Sequence, residues 1–239
     1  MKIYTTLQRS SKHEQFCEDF LAVIHPATDW CIGVVADGCS SGKDSHFAAA
    51  LQCKLLRHLA QNFKFSPTDT PQTLTFTLLH QFFKALQQEQ QHLGLAWDEL
   101  LATLIIFTYQ KSTKKLFITC LGDGVVVIDQ KVHVFDQHNQ PDYPAYHLNK
   151  TPQELHQYFD LQTFNVENPQ QFAIATDGVL AITNTKDIQE DLSEEATNYL
   201  LLNTELLQVE SMLNRKCNIL QKQRAYAFLD DIAIIRVVF

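Results

Sequence analysis

Nowhere does this chain carry an uncharged apolar run near the roughly 18 residues needed to span a bilayer, and its N-terminal MKIYTTLQRSSKHEQ lacks the apolar core of a signal peptide. Both absences predict a cytoplasmic protein with no membrane partner. Cations are few and scattered: 19 Lys and Arg stand against 27 Asp and Glu, and no basic block forms. Proteins that grip nucleic acid through its phosphates need clustered cations, so nucleic acid is not an expected partner. The acidic balance instead suits local binding of cations. No CxxC or mixed Cys/His spacing links Cys17, Cys31, Cys39, Cys53, Cys120 and Cys217, which argues against zinc and against a disulfide framework. These cysteines read as reduced, mostly buried small hydrophobes. No internal repeat or linker divides the 239 residues, so one domain over 1–239, acting as a monomer, is expected.

What is present begins with short apolar runs and helical periodicity. DFLAVI (19–24) and WCIGVVAD (30–37) have the length and composition of strands. Residues 45–63 place Phe47, Ala50, Leu51, Leu55 and Leu59 on one helical face. Thr70-Pro71 suits the start of a second helix over 72–94, closed by Gly94, with Phe76, Phe82 and Phe83 as core. The period then changes. ATLIIFTYQ (102–110), KLFITCLG (115–122), GVVVID (124–129) and KVHVFD (131–136), rich in β-branched and aromatic residues, read as an antiparallel meander with a hairpin tip at Gln130-Lys131. Residues 137–155 read as an irregular surface loop, 193–220 as helical material, and QFAIAT (171–176) and IAIIRVVF (232–239) as late strands. Strands and helices do not alternate strictly, which predicts a layered α+β domain with helices outside antiparallel sheets.

Acids punctuate the apolar runs. Glu18 and Asp19 precede FLAVI, Asp37 follows IGVVA, Asp123 follows LFITCLG, Asp177 follows FAIAT, and Asp230 and Asp231 precede IAIIRVVF. Carboxylates gathered without a counter-charge repel each other, and a divalent cation removes that penalty. An all-oxygen donor set suits Mg²⁺ or Mn²⁺. Glycine after Asp37 and after Asp177 would permit a tight turn that aims a carbonyl at a cation. Any one Asp-Gly pair is more simply a turn; the ordered series is what points to a metal site. Cys39 without an in-register His partner reads as a packed or partly exposed thiol, and His46, His58 and His80 read as packing or surface residues of the helices.

Taken in order, EDFLAV (18–23), GVVADG (33–38), LGDG (121–124), ATDGVLA (175–181) and DDIAIIRV (230–237) resemble the motif series of the metal-dependent protein serine/threonine phosphatases of type 2C. The resemblance spans nearly the whole chain. It implies a β-sandwich of two antiparallel sheets flanked by helices, a four-layer αββα arrangement, with two Mg²⁺ or Mn²⁺ ions at one end. In that likeness Asp37 bridges both ions, the Gly38 carbonyl binds one, and Asp177 and Asp230 bind the other. Glu18 and Asp19 match the acidic pair beside the ions that holds water, and Asp123 with Asp177 matches the place of a weaker third ion. Asp37, Asp177, Asp230 and Asp19 are accordingly the catalytic candidates. The implied activity is hydrolysis of phosphoserine and phosphothreonine on proteins by a water that the two ions activate. The alternative is a catalytically silent domain of the same fold that binds a partner protein.

Three departures from the pattern stand out. Where the family often carries an arginine that holds phosphate, this chain has Glu14, with Arg9, Lys12 and His13 as neighbouring candidates. Cys39 replaces a histidine found after Asp-Gly in some members, and CSSGKD (39–44) replaces the expected glycine pair. Residues 181–195, after the Asp177 turn, match the region of a flap beside the active site, which would govern selection among protein substrates.

Overall fold

The computed structural model describes residues 1–13, 15–138, 140–185 and 193–239. Its strands are β1 (Lys2–Gln8), β2 (Asp19–Ile24), β3 (Trp30–Asp37), β4 (Leu104–Gln110), β5 (Lys115–Leu121), β6 (Gly124–Ile128), β7 (Lys131–Phe135), β8 (Thr163–Glu167), β9 (Gln171–Ala175), β10 (Ile182–Asn184), β11 (Tyr226–Phe228) and β12 (Ile232–Val238). Its helices are α1 (Ser45–Gln61), α2 (Pro71–Leu93), α3 (Pro152–Phe159), α4 (Ser193–Leu201) and α5 (Met212–Gln223). One five-stranded antiparallel sheet runs β1-β12-β9-β6-β7 and the other β2-β3-β4-β5-β8, with β10 and β11 forming a separate pair. The class is α+β, as the segregation of strands and helices implies.

Burial on both faces explains why the central strands lack polar alternation. In β3, Ile32, Val34 and Ala36 pack with α1 and α2, while Cys31 and Val35 face the second sheet. In β12, Ile232 and Ile234 face the α4–α5 layer, and Ala233, Ile235 and Val237 fill the space between sheets. A side-chain period of two with apolar partners on either side gives a continuous apolar run, so IAIIRVV reads as a buried strand. At the second helix the Thr70 hydroxyl accepts from Thr73 N, Pro71 is the first helical residue, and Gly94 ends the helix in the left-handed region at φ 65°. Each terminus is thus set by its local residues.

Four readings of the sequence are corrected. The meander over 102–136 is two hairpins: β5 and β6, only two residues apart, belong to different sheets, so the chain crosses the sandwich at Gly122-Asp123. The hairpin tip lies one residue earlier, at Asp129-Gln130, because Ile128 pairs with Lys131. Residues 137–155 are not simply a surface loop: Tyr143 and His147 are buried, and the His147 ring stacks on Tyr158 at 3.8 Å between centroids. The helical material of 193–220 is broken into α4 and α5, and the break is held by buried cations.

Lys216 Nζ donates to Tyr199 O at 2.8 Å and to Asn203 Oδ1 at 3.1 Å. Arg236, on the helix-facing side of β12 and fully buried, donates from Nη1 to Leu200 O and Asn203 O and from Nη2 to Leu202 O and Gln171 Oε1, all within 3.0 Å. Together they satisfy the carbonyls that the end of α4 leaves open and set a positive charge at its negative pole. Burial, with the Arg236 charge adding to it, pushes the Lys216 amine down to about 7. α4 in turn braces the chain after Asp177, since Thr197 Oγ1 donates to Val179 O at 2.8 Å. Replacing Arg236 with methionine would strand several buried carbonyls; a loss of about 2–3 kcal/mol is expected, with the unfolding temperature lower by roughly 5–10 °C. Scanning calorimetry of the variant checks this, and an unchanged transition would refute the anchoring role.

Candidate metal centre

Strand register explains how acids far apart in sequence meet. Asp19 opens β2, Asp37 closes β3, and antiparallel pairing sets the two directly opposite each other. Their carboxyls adjoin one another, and Asp19 is buried. Two ionised carboxylates set this close repel each other, which favours the protonated form of one of them when no cation is present. Burial, followed by the charges of Asp19 and Asp177, holds the Asp37 carboxyl well above the ordinary carboxylate range. Burial raises Asp19 as well, against the lowering effect of its bonds to Asp37 and Thr176.

The other sheet presents its acids at the same end. Thr176, directly after β9, donates to Asp19 Oδ2 at 2.6 Å and accepts from Ala233 N at 2.9 Å, joining the two sheets through one hydroxyl. Asp177 opens a short 3₁₀ turn, Asp177–Leu180, and Asp230 lies in the connection from β11 into β12. Asp123, Asp177 and Asp230 line one cleft of about 290 Å³. Burial raises Asp177 first, with the charges of Asp230 and Asp123 adding to it; burial is also the leading cause of the upward shifts of Asp123 and Asp230.

Both Asp-Gly pairs are sites of close backbone approach. A Cβ on Gly38 would lie 2.2 Å from Ser45 O, and one on Gly178 would lie 1.8 Å from Asp231 O. Neither glycine has positive φ, so the reason for glycine is space, not the left-handed turn chemistry that Asp-Gly suggests in sequence.

The remaining candidates take distinct places. Glu18 accepts a hydrogen bond from Ser40 Oγ at 2.6 Å through its carboxylate. Asp231, almost fully buried, accepts from the backbone amides of Ser10 and Glu18, which ties the N-terminal segment to β12. Arg9 and Lys12 are exposed, whereas His13 reaches the acids: its Nδ1 lies 2.9 Å from Asp231 Oδ2 and its Nε2 3.7 Å from Glu18 Oε2. The Nδ1 approach has the distance of an ion pair without hydrogen-bond alignment. Burial works against the His13 charge, but Asp231 and Glu18 outweigh it and raise its pKa. Glu14 and residues 186–192, the centre of the expected flap, lie outside the described residues. Asp136, which also lines the cleft, was missed in the sequence although it ends the apolar run KVHVF as the other acids end theirs.

As these side chains stand, no three His, Cys, Asp or Glu among the described residues are arranged to hold a cation. The chemistry of the set still fits a hard divalent cation. Its donors are all oxygens, Asp19 is buried and Asp37, Asp177 and Asp230 are half-buried, and burial followed by the neighbouring acids raises the pKa of each, a penalty that a divalent cation would relieve.

The family model described as protein phosphatase 2C matches residues 8–231. No curated protein matches the sequence. Among solved structures, a serine/threonine phosphatase of S. agalactiae is 12% identical, aligned over 100% of this chain and 99% of that one with a TM-score of 0.64. RsbX in complex with magnesium is 15% identical over 98% of this chain and 92% of that one, with a TM-score of 0.56. The phosphatase domain of SpoIIE from Bacillus subtilis, solved with a fragment of its regulatory domain, is 12% identical with a TM-score of 0.60; the match covers 99% of this chain and 62% of that longer one. At such identities the structural likeness establishes the fold, and the family rests on the model match.

Proposed function

Because the chain belongs to the protein phosphatase 2C family, we propose that it is a metal-dependent phosphomonoesterase that removes phosphate from serine and threonine side chains of proteins. The observation that carries this reading is the meeting of Asp19 and Asp37 from one sheet with Asp177 and Asp230 from the other at a single end of the sandwich. Asp37, Asp177, Asp230 and the Gly38 carbonyl would hold two Mg²⁺ or Mn²⁺ ions, with Asp123 available to a weaker third. Bound there, the ions would supply Lewis-acid activation of water and neutralise the phosphoryl oxygens.

The chain's own residues then have definite tasks. Asp19, held by the Thr176 hydroxyl, keeps its carboxylate at a fixed angle and orients the attacking water by accepting its hydrogen bond. Glu18, steadied by Ser40, does the same from the open side. Asp231 fixes Glu18 through its amide and so positions the pair. His13, which stands against Glu18 and Asp231, takes the place of the missing arginine as the side chain that meets substrate phosphate.

Hydrolysis of a phosphothreonine peptide with and without Mn²⁺ tests the reading. Metal-dependent turnover supports it; absence of turnover with tight partner binding would favour the silent module, to which the loss of the phosphate-holding arginine lends weight. For His13, replacement by alanine should raise KM for the phosphopeptide and lower kcat/KM about tenfold, the order of one charge-assisted hydrogen bond, while Lys12→Ala should change either by less than about twofold. Equal behaviour of the two variants would remove His13 from phosphate binding.

A further inference from the structure

Beside the acidic centre lies a second cavity that the proposed chemistry does not use. Its volume is about 610 Å³, and Cys39, Trp97, Asp98, Asp142, Tyr143 and Tyr146 are among its lining residues. It is continuous with the centre through the chain itself. Cys39 follows Gly38 directly, and Tyr143 lies close enough to Asp37 to feel its charge. Only Gly38 separates Asp37 from Cys39, two steps of chain or roughly 7 Å when extended, so a single extended peptide can reach both places.

The lining has an unusual make-up for a protein surface. Trp97 and Tyr146 are 60% and 52% exposed, with ring centroids 6.1 Å apart, and Tyr143 packs on Tyr146 at 5.6 Å. Large aromatic rings left open to water side by side mark a surface kept for a ligand. Of the two carboxylates, Asp142 is engaged, with its Oδ1 2.5 Å from His147 Nε2. Among the described residues Asp98 has no hydrogen-bond or ion-pair partner, and none of those lining the cavity is Lys, Arg or His. Aromatic faces and an unpaired carboxylate around one cavity select a cation carried on an apolar stem, which is the chemistry of an arginine or lysine side chain.

We propose that this cavity is a specificity subsite that receives a cationic side chain of the phosphoprotein substrate, close in sequence to the phosphorylated residue. The proposal rests on the phosphatase reading for its substrate, but its recognition chemistry is separable from catalysis. The cation lies over the exposed faces of Trp97 and Tyr146 and pairs with Asp98. Asp98 and Trp97 act on selection of the peptide and touch no reacting atom.

The test uses the full chain and three decapeptides identical except that the residues flanking the central threonine are arginine, alanine or glutamate. Trp30 is buried and Trp97 exposed, so intrinsic fluorescence reports on the cavity wall. In EDTA, with unphosphorylated peptides, the arginine peptide should quench this fluorescence and bind about tenfold more tightly than the alanine peptide, a cation–π contact and an exposed ion pair accounting for about threefold each. Asp98→Asn should reduce that preference to about threefold, and Asp98→Lys should turn it towards the glutamate peptide, which a merely structural role of Asp98 would not do. Equal affinities for the arginine and alanine peptides, or an unaltered preference in Asp98→Lys, overturn the subsite. Turnover is measured separately on the phosphorylated alanine peptide with Mn²⁺. Turnover without charge preference leaves the phosphatase and removes the subsite; charge preference without turnover does the reverse.

Discussion

Asp37→Asn is expected to lower kcat/KM for a phosphothreonine peptide in Mn²⁺ by well over a hundredfold while leaving the fold intact. Residues that merely orient a metal ligand already cost about 10–100-fold when replaced. Asp37 stands closer still, as the carboxylate proposed to serve both ions, so its loss removes charge from each. The fold is expected to survive because the Asp37 backbone, not its side chain, makes the structural contacts: its carbonyl accepts from Thr103 N at 2.8 Å and its strand register is set along all of β3. Asparagine is also free of the need for a shared proton, and its amide can donate to Asp19 directly. The variant in EDTA should therefore unfold at or above the temperature of the parent. Activity within twofold of the parent would sink the assignment, and Asp177→Asn and Asp230→Asn are expected to follow the same course.

Chelation should make stability depend on pH in a direction opposite to that of most surface carboxylates. A carboxyl whose folded pKa is raised stabilises the fold while it is protonated. That contribution is fully present below the unfolded value near 4 and is lost as pH rises through the folded value. Burial leads the shifts, raising Asp177 to about 6 and holding the Asp19–Asp37 pair high as well. The window therefore opens above pH 4 and continues through neutrality. Each proton retained by the fold and not by the unfolded chain costs about 1.4 kcal/mol per pH unit, or roughly 3–5 °C in a domain of this size. Calorimetry in EDTA at several values between pH 5 and 8 should show the parent falling relative to Asp37→Asn as pH rises. Mn²⁺ should abolish that fall, because the ions take over the proton's role. A parent-minus-variant difference that is flat in pH would mean that the two carboxyls share no proton.

How much of this was legible in sequence differs from element to element. The central strands were legible because burial on both faces leaves a plain apolar run, and the second helix because Thr70, Pro71 and Gly94 mark its ends locally. β1 and β8 were not read as strands, since their exposed and half-buried residues carry mixed polarity at the sandwich edges. The break between α4 and α5 escaped because its cause, the donors of Arg236 and Lys216, comes from other elements. The acids of the site were legible as types and positions. Their partners were not.

The sequence by itself determined the class of this protein: the order of apolar runs and the acids that end them already carry the α+β layering and the resemblance to a metal-dependent phosphatase, because both are properties of residues along one chain. Tertiary structure alone decided which acids meet. Asp19 faces Asp37 because two strands pair in one register, Thr176 ties that pair to the second sheet, and the chain between β5 and β6 changes sheets where a meander was expected. The aromatic cavity around Asp98 is likewise assembled from three distant segments. Such contacts are fixed by packing across the sandwich, where residues far apart in the chain compete for the same few ångströms, and no local pattern encodes the outcome.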